Sequence, residues 1–217
     1  ATASPVPTHA VRWPSTVSLD ADLCIVGAGV IGTIIASDTA SLGFSSIVLE
    51  KERDIGGVWT KNDYPGLRLQ TTGAAFRCLS LAPAWMREGP GKDDVLYRPN
   101  GKEVLAYIHA MADHPLISIR TSTAYSSFRR SESHFVVSAA PRQLMTARGV
   151  VLAPGAHETT AGAPHWPIDP SQVTNGTLAL HSSGLNSGAF YSASRKVVVG
   201  ASKAARYASD FSKAADG

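Results

Sequence analysis

A glycine-rich turn between two apolar segments constrains the fold of this chain more than any other feature. The segment LCIVGAGVIG, residues 23–32, places Gly27, Gly29 and Gly32 after an apolar strand-like run and at the start of a helical pattern that extends to residue 42. In such a unit the first glycine permits the tight turn, the second lets the backbone approach a diphosphate, and the third lets the helix pack on the strand. The amino terminus of the helix adds N–H groups and a partial positive charge that attract an anion. The segment therefore predicts a dinucleotide-binding turn.

An acid follows at the spacing that such a turn requires. A second apolar run, residues 46–49, ends at Glu50, 18 residues after Gly32. An acid there accepts hydrogen bonds from ribose hydroxyls and repels an additional phosphate on that ribose, which favours FAD or NAD over NADP. Three glycines after a strand also occur in turns without a ligand, but strand, helix and acid together make a βαβ unit of the expected size.

The remaining segments predict how the rest of the domain is built. Residues 51–100 are rich in Gly, Pro and aromatic residues, which suggests a long functional connection. Residues 101–113 have helical spacing, with Val104, Leu105, Ile108 and Met111 on one face. Short β-branched or aromatic runs then predict a small antiparallel sheet that feeds a strand returning to the main sheet. These runs are residues 116–121, 124–129, 134–139, 143–147 and 150–153.

The composition excludes several classes of function. The 20 Lys and Arg are interspersed with 17 Asp and Glu and give a net charge of only +3, so nucleic acid is not expected as a partner. No apolar run approaches the roughly 18 residues that a membrane span needs. The seven histidines and two cysteines show no metal-ligand spacing. Two cysteines are too few for a disulfide scaffold, which predicts a reducing, cytoplasmic location.

Two segments after Glu50 carry a family resemblance. They are KERDIGGVWT, residues 51–60, and NDYPGLRLQT, residues 62–71. The pair resembles the class B flavoprotein monooxygenases, the group that includes the flavin-containing and Baeyer–Villiger monooxygenases. A Gly-Gly-x-Trp run directly after the ribose acid has no evident use in an NAD dehydrogenase, so the resemblance implies FAD. Read alone, Tyr-Pro-Gly at residues 64–66 is also an ordinary turn.

The resemblance implies a set of FAD-binding residues and one catalytic position. In the family, the residue six places after the Tyr of the Tyr-Pro-Gly segment lies near the reactive edge of the isoalloxazine. Here that residue is Gln70, where Baeyer–Villiger enzymes tend to have Asp and flavin-containing monooxygenases Asn, so the reaction subtype stays open. The implied FAD-binding residues are Gly27, Gly29, Val30, Ile31, Gly32, Glu50, Lys51, Gly57, Val58, Trp59, Leu69, Gln70, Thr71, Ala153 and Gly155.

Weaker similarities lie further along the chain. VVLAPG, residues 150–155, resembles the family's strand that ends in Ala-Thr-Gly, although Pro154 replaces Thr, and residues 164–167 resemble its proline-rich hinge. His181 stands in register with the family's fingerprint histidine, but a surface histidine in a loop explains it equally well. KVVVGASKAA, residues 196–205, occupies the place of the NADPH-binding turn, with Ser202 and Ala205 replacing two glycines.

Three regions are predicted from these segments. They are an extended arm over residues 1–21, a Rossmann-like FAD-binding domain with an antiparallel insertion over 22–165, and a hinge with the start of an incomplete NADPH-type domain over 166–217. The last helical segment ends the sequence without a further strand, so we expect an interrupted domain. NADPH binding by this chain alone is then not expected, unless a partner chain or an oligomer completes that domain.

The resemblance implies the following function. The chain would be the FAD-binding portion of an NADPH-dependent monooxygenase, which oxygenates a small organic substrate through a flavin hydroperoxide. The alternative is a shortened flavoprotein whose FAD is structural or not redox-active, or one subunit that a partner chain completes.

Overall fold

The computed structural model describes residues 18–61 and 66–155 of the chain. The strands are β1 Ala21–Val26, β2 Ser46–Leu49, β3 Ile117–Arg120, β4 Tyr125–Arg130, β5 Phe135–Ala139 and β6 Gln143–Leu152. The helices are α1 Val30–Ser41, α2 Val58–Lys61, α3 Ala84–Arg87 and α4 Gly101–Ala112. None of these helices combines the length and the apolar character that crossing a bilayer demands.

The six strands form one mixed sheet in the order β3-β2-β1-β6-β5-β4. β1, β2 and β3 are parallel, and Val26 is in register with both Leu49 and Leu152, so the carboxyl ends of β1, β2 and β6 lie side by side. Ligands of open α/β sheets bind at this edge. The predicted α/β Rossmann-like fold is confirmed in this part of the chain.

The antiparallel insertion differs from the prediction in two respects. Residues 143–147 and 150–153 were predicted as separate runs, but one strand, β6, covers residues 143–152. Its first half pairs antiparallel with β5 and its second half pairs parallel with β1, with Ala147 in both pairings. The run 116–121 was assigned to the antiparallel sheet, but it forms β3, which pairs parallel with β2. The error at β3 concerns its strand partner, which a local pattern does not specify, whereas the error at β6 concerns the length of the strand.

Two helices cover one face of the sheet. The core cluster there joins Ile25 and Val48 of the sheet to Ala36 of α1 and to α4, whose Val104 and Ile108 are fully buried. Leu105, predicted on the same face of α4, is half-buried. The connection predicted over residues 51–100 contains α2 and α3.

The hydroxyl of Tyr107 in α4 forms hydrogen bonds with the long connection, residues 51–100. This hydroxyl accepts a hydrogen bond from the Cys78 N–H at 2.8 Å and donates one to the carbonyl of Leu81 at 2.5 Å. The ring of Tyr107 also meets Trp85 of α3 edge-on, with centroids 5.2 Å apart. The side chain of a core helix therefore holds the middle of the long connection.

The second face of the sheet is buried against the antiparallel strands. Cys24, Ile47 and Leu49 form a core cluster with Val137 of β5 and Met145 of β6. Arg120 at the end of β3 donates a hydrogen bond to Gln143 at the start of β6, 3.2 Å away, although β1 and β2 separate these strands in the sheet order. The antiparallel part therefore folds back across the parallel part. Burial raises the pKa of the Cys24 thiol to about 11, so this cysteine remains a protonated core residue.

The chain divides into two compact units. Of the described residues, 18–60 and 69–155 belong to the first unit, whereas 61 and 66–68 belong to the second. The predicted arm, except for residues 18–21, lies outside the described residues, and so does the whole of the predicted region 166–217. The domain boundaries drawn from the sequence remain predictions.

Candidate functional site

The glycine turn after β1 requires glycine at two positions for steric reasons. Gly27 has a φ of +98°, and its N–H donates to the carbonyl of Leu49 at 2.7 Å. A Cβ on Gly27 would overlap the carbonyl oxygen of Ala153, and one on Gly32 would overlap the carbonyl oxygen of Gly27. The turn is thus pressed between β2, β6 and its own helix, as the predicted roles of the first and third glycines require.

The Gly-Gly-x-Trp segment contacts this turn directly. The N–H of Gly56 donates to the carbonyl of Ala28 at 2.9 Å, and a Cβ on Gly57 would lie 3.2 Å from the Cα of Gly29. Gly56 and Gly57 have φ values of +128° and +59°. These two glycines let the backbone pass close to the first glycine turn, so the two glycine segments are in direct contact.

Helix α1 begins without a cap. Gly29 is its N-cap residue, no side chain accepts a hydrogen bond from the first turn, and that turn contains no acid. The first backbone bond of the helix runs from the Thr33 N–H to the carbonyl of Gly29. The amides of Val30, Ile31 and Gly32 therefore have no acceptor within the helix, which is the arrangement that binds phosphate groups at helix amino termini.

Glu50 is buried at the end of β2 and contacts the backbone of the turn. Its side chain is only 6% exposed. Oε2 accepts the Ala28 N–H at 2.8 Å and Oε1 accepts the Glu52 N–H at 2.9 Å. A carboxylate oxygen can accept about two hydrogen bonds, so each oxygen retains acceptor capacity beyond its bond to the protein. The sequence predicted a sugar ligand at this position and did not anticipate the bonds to the backbone.

The other predicted residues lie around this centre or apart from it. The Ala153 N–H donates to the carbonyl of Val26 at 2.8 Å, which holds the end of β6 against Gly27. Trp59 is half-buried and meets Phe76 edge-on, with ring centroids 6.4 Å apart. Part of the Trp59 ring therefore packs against Phe76 within the protein. Ile31, Lys51, Val58 and Gly155 are exposed.

Leu69 is held by a different segment, and Gln70 and Thr71 follow it in the chain. The Leu69 N–H donates to the carbonyl of Pro99 at 2.9 Å, and the Leu69 side chain is buried in the same core cluster as Ala28. Gln70 and Thr71 are exposed. Leu69 is thus linked to the glycine turn through side-chain packing and not through a hydrogen bond.

Two residues outside the predicted set complete the centre, Ala28 and Gly56. Both act through backbone groups, so side-chain chemistry gave no signal for them. The neighbouring glycines were the available hint, because a close approach of backbone is what they permit. Most of the Tyr-Pro-Gly segment, His181 and the second glycine turn over 196–205 lie outside the described residues. Within 18–61 and 66–155, no three His, Cys, Asp or Glu side chains cluster closely enough to hold a metal ion.

Comparison with known proteins identifies the family to which the chain is similar. The family model "Pyridine nucleotide-disulphide oxidoreductase" matches residues 24–212. The FAD-binding monooxygenase acrE of Aspergillus aculeatus is 27% identical over 146 residues, which are 64% of this chain and 23% of that protein. A Baeyer-Villiger monooxygenase of Pseudooceanicola batsensis is 31% identical over 100 residues, 46% of this chain and 18% of that protein.

A solved structure agrees with these matches. An oxidized steroid monooxygenase bound to NADP superimposes with a TM-score of 0.51 at 28% identity, covering 62% of this chain and 26% of that one. The chain thus spans about a quarter or less of the length of each of these three proteins. The resemblance to the class B flavoprotein monooxygenases is confirmed, and the chain belongs to the pyridine nucleotide-disulphide oxidoreductase family.

Proposed function

We propose that this chain binds FAD and is the FAD-binding part of an NADPH-dependent monooxygenase that oxygenates a small organic molecule. The observation that carries the proposal is the uncapped amino terminus of α1, set between two touching glycine segments and beside the buried Glu50. The similar proteins support it, because one is named as FAD-binding, another as a Baeyer-Villiger monooxygenase, and a third was solved with NADP.

The residues present fit the diphosphate of FAD. Gly29 exposes backbone, because a Cβ there would meet only the Cα of Gly57, at 3.8 Å. The amides of Val30, Ile31 and Gly32 supply donors, and no acid in the first turn opposes a negative charge. The partial positive charge of a 12-residue helix adds to this attraction. The diphosphate would therefore be held by backbone groups.

Glu50 fits the adenosine side of the cofactor. Its carboxylate sits at the carboxyl end of β2, next to the turn, with acceptor capacity left on both oxygens. Two sugar hydroxyls would donate to it. The negative charge would oppose a phosphate on the same sugar, so we expect this site to discriminate against NADP.

We propose that four residues surround the flavin ring of the cofactor: Gly57, Val58, Trp59 and Gln70. FAD, when bound, supplies the ability to take a hydride from NADPH and to react with oxygen. Val58 is half exposed, and the Gln70 amide is exposed and can both donate and accept a hydrogen bond. Their role would be to orient the flavin and to limit access of water to it.

Titration with FAD tests the proposal. The purified chain is expected to bind FAD in a one-to-one ratio by calorimetry and to quench its fluorescence. Failure of the well-folded chain to take up FAD would contradict the proposal. Oxidation of NADPH by the loaded chain would extend the function to the reductive step. A loaded chain that leaves NADPH unchanged would support the alternative of a redox-inactive flavin or of a subunit completed by a partner chain.

The cellular setting is part of the same proposal. Cys24 and Cys78 are free and buried, which supports a reducing compartment, the cytoplasm. The partners we propose are a small-molecule substrate and a second protein chain, either another copy of this one or a different one. Cell fractionation and measurement of the mass in solution test these two statements.

A further inference from the structure

We infer that Glu50 is a positioning residue for the diphosphate-binding turn, in addition to any contact it makes with a sugar. The inference rests on the proposed FAD site. It concerns the Ala28 N–H, which points at the Glu50 carboxylate and not at the space in front of α1.

Both peptide groups that flank Ala28 are held by partners outside the turn. The N–H bonds to Glu50 Oε2 at 2.8 Å, and the carbonyl accepts the Gly56 N–H at 2.9 Å. Ala28 is fully buried, so water does not replace either partner. Gly27 and Gly29, on either side, have no side chains that could restrict the backbone. The two bonds at Ala28 therefore fix the peptide groups that lead into Gly29, whose own carbonyl is held by the Thr33 N–H at 3.0 Å.

Glu50 is itself rigidly placed. Its own N–H donates to the carbonyl of Arg120 at 2.9 Å, and its carbonyl accepts the Thr123 N–H at 2.8 Å. Its second carboxylate oxygen binds the Glu52 N–H. The chain of bonds thus runs from the ends of β2 and β3 to the turn after β1. Bonds from N–H groups to a buried carboxylate are stronger than neutral ones, which suits the carboxylate to this task.

The substitution Glu50→Gln separates this role from sugar binding. Glutamine has one acceptor oxygen and one NH₂ donor, so only one of the two N–H groups keeps an acceptor. Glu103→Gln is a matched control, because the Glu103 carboxylate also accepts a backbone N–H, that of Asn100, but at the start of α4. Each variant is titrated with FAD and with an FAD analogue whose adenosine lacks both ribose hydroxyls.

If Glu50 positions the turn, E50Q weakens binding of both ligands by at least tenfold, because the defect does not depend on the sugar. In the ligand-free protein, hydrogen exchange of the Ala28 amide, followed by NMR, accelerates at least tenfold in E50Q and is unchanged in E103Q. Exchange is a readout that does not require a loaded enzyme. Glu50→Asp, whose carboxylate is one methylene shorter, replaces E50Q in both measurements if E50Q does not fold.

Two results would overturn the inference. One is E50Q binding the analogue as tightly as the wild type does; the other is unchanged exchange at Ala28. Loss of affinity for FAD alone would assign Glu50 to the sugar only and leave the proposed function intact. A wild type that binds neither ligand would remove the proposed function, and Ala28 exchange would then decide the positioning role by itself.

Discussion

Helices α1 and α4 are both 12 residues long and pack on the same face of the sheet, but they begin in opposite ways. At α4, the Asn100 side chain accepts the Glu103 N–H at 3.0 Å, and the Glu103 carboxylate accepts the Asn100 N–H at 2.8 Å. This capping box satisfies the helix from within. At α1, Gly29 offers no side chain. Since α4 carries a capping box in the same layer, the fold does not require an uncapped helix there. The missing cap of α1 is therefore specific to the glycine turn.

The two acids show the same difference. Glu103 serves its own helix and also accepts the Tyr97 hydroxyl at 2.7 Å. Glu50 reaches out of its strand to the backbone of another segment. The start of α4 is therefore complete without a ligand, whereas the start of α1 is held in shape but left open. Three experiments test this contrast and a fourth examines the far end of β1; they follow in order of decreasing expected effect.

The largest effect is expected from Gly27→Ala, with Gly43→Ala as the control. Both glycines have a positive φ, +98° and +88°, so alanine strains the backbone at both sites. Only Gly27 faces a backbone oxygen, that of Ala153, whereas a Cβ on Gly43 meets nothing within 4 Å. We expect G27A to lower the free energy of unfolding by about 3 kcal/mol or more and G43A by about 1 kcal/mol. Equal losses in urea denaturation would show that the turn is not pressed against β6.

An acid placed in the first turn tests the open helix end. Ile31 and Lys102 are the second residues of α1 and α4, and both are exposed. Ile31→Glu is expected to weaken FAD binding at least tenfold, about 1.4 kcal/mol, because its charge opposes the diphosphate. Lys102→Glu is expected to leave FAD binding unchanged.

Both substitutions should raise stability slightly, by about 0.5 kcal/mol, through the helix dipole. Calorimetric titration and thermal unfolding of the two variants measure these effects. Full affinity in I31E would contradict a diphosphate site at α1, and Ile31→Gln controls for loss of the apolar side chain.

Removing the cap of α4 should have the complementary result. Asn100→Ala takes away the acceptor of the Glu103 N–H and is expected to lower the free energy of unfolding by about 1 kcal/mol. FAD affinity, compared at a temperature where both proteins are folded, should stay the same. A loss of affinity matching that of I31E would mean that the two helix ends are not functionally distinct.

The smallest effect concerns the opposite end of β1. Burial there raises the pKa of Asp22, but hydrogen bonds from the backbone and hydroxyl of Ser45 and from Arg148 outweigh it, so the pKa of Asp22 lies below its usual value. A lowered folded-state pKa stabilises the protein above the unfolded-state value, near 4, and this contribution disappears as the pH falls through the folded-state value.

Asp22 and Arg148 are partly exposed, with side chains 28% and 31% accessible, so the contribution should stay below about 1 kcal/mol. Unfolding of wild type and Asp22→Asn between pH 3 and pH 6 measures it. The two curves should converge towards pH 3, and a constant difference over this range would contradict the assignment. FAD affinity should not change in this variant, since Asp22 lies near the start of β1 and the glycine turn follows the last residue of that strand.

The parts of the fold predicted well are those fixed by local patterns. The apolar run 46–49 is β2 with the same bounds, and the helical patterns at 30–42 and 101–113 end one residue beyond α1 and α4. The strand β6 was split because Arg148 and Gly149 interrupt its apolar run, although its backbone continues between two partners. The parallel pairing of β3 was missed because its partner, β2, lies about 70 residues earlier in the chain.

By itself, the sequence determined a tight turn at Gly27 and close packing of the helix on the strand at Gly32, since only a missing Cβ permits those contacts. It also determined that an acid would end β2. Only the tertiary structure decided what these features do together: Gly57 lies over Gly29, and Glu50 binds the Ala28 N–H. Those contacts join segments separated by more than 20 residues and act through peptide groups that every residue has, so no side-chain pattern encodes them.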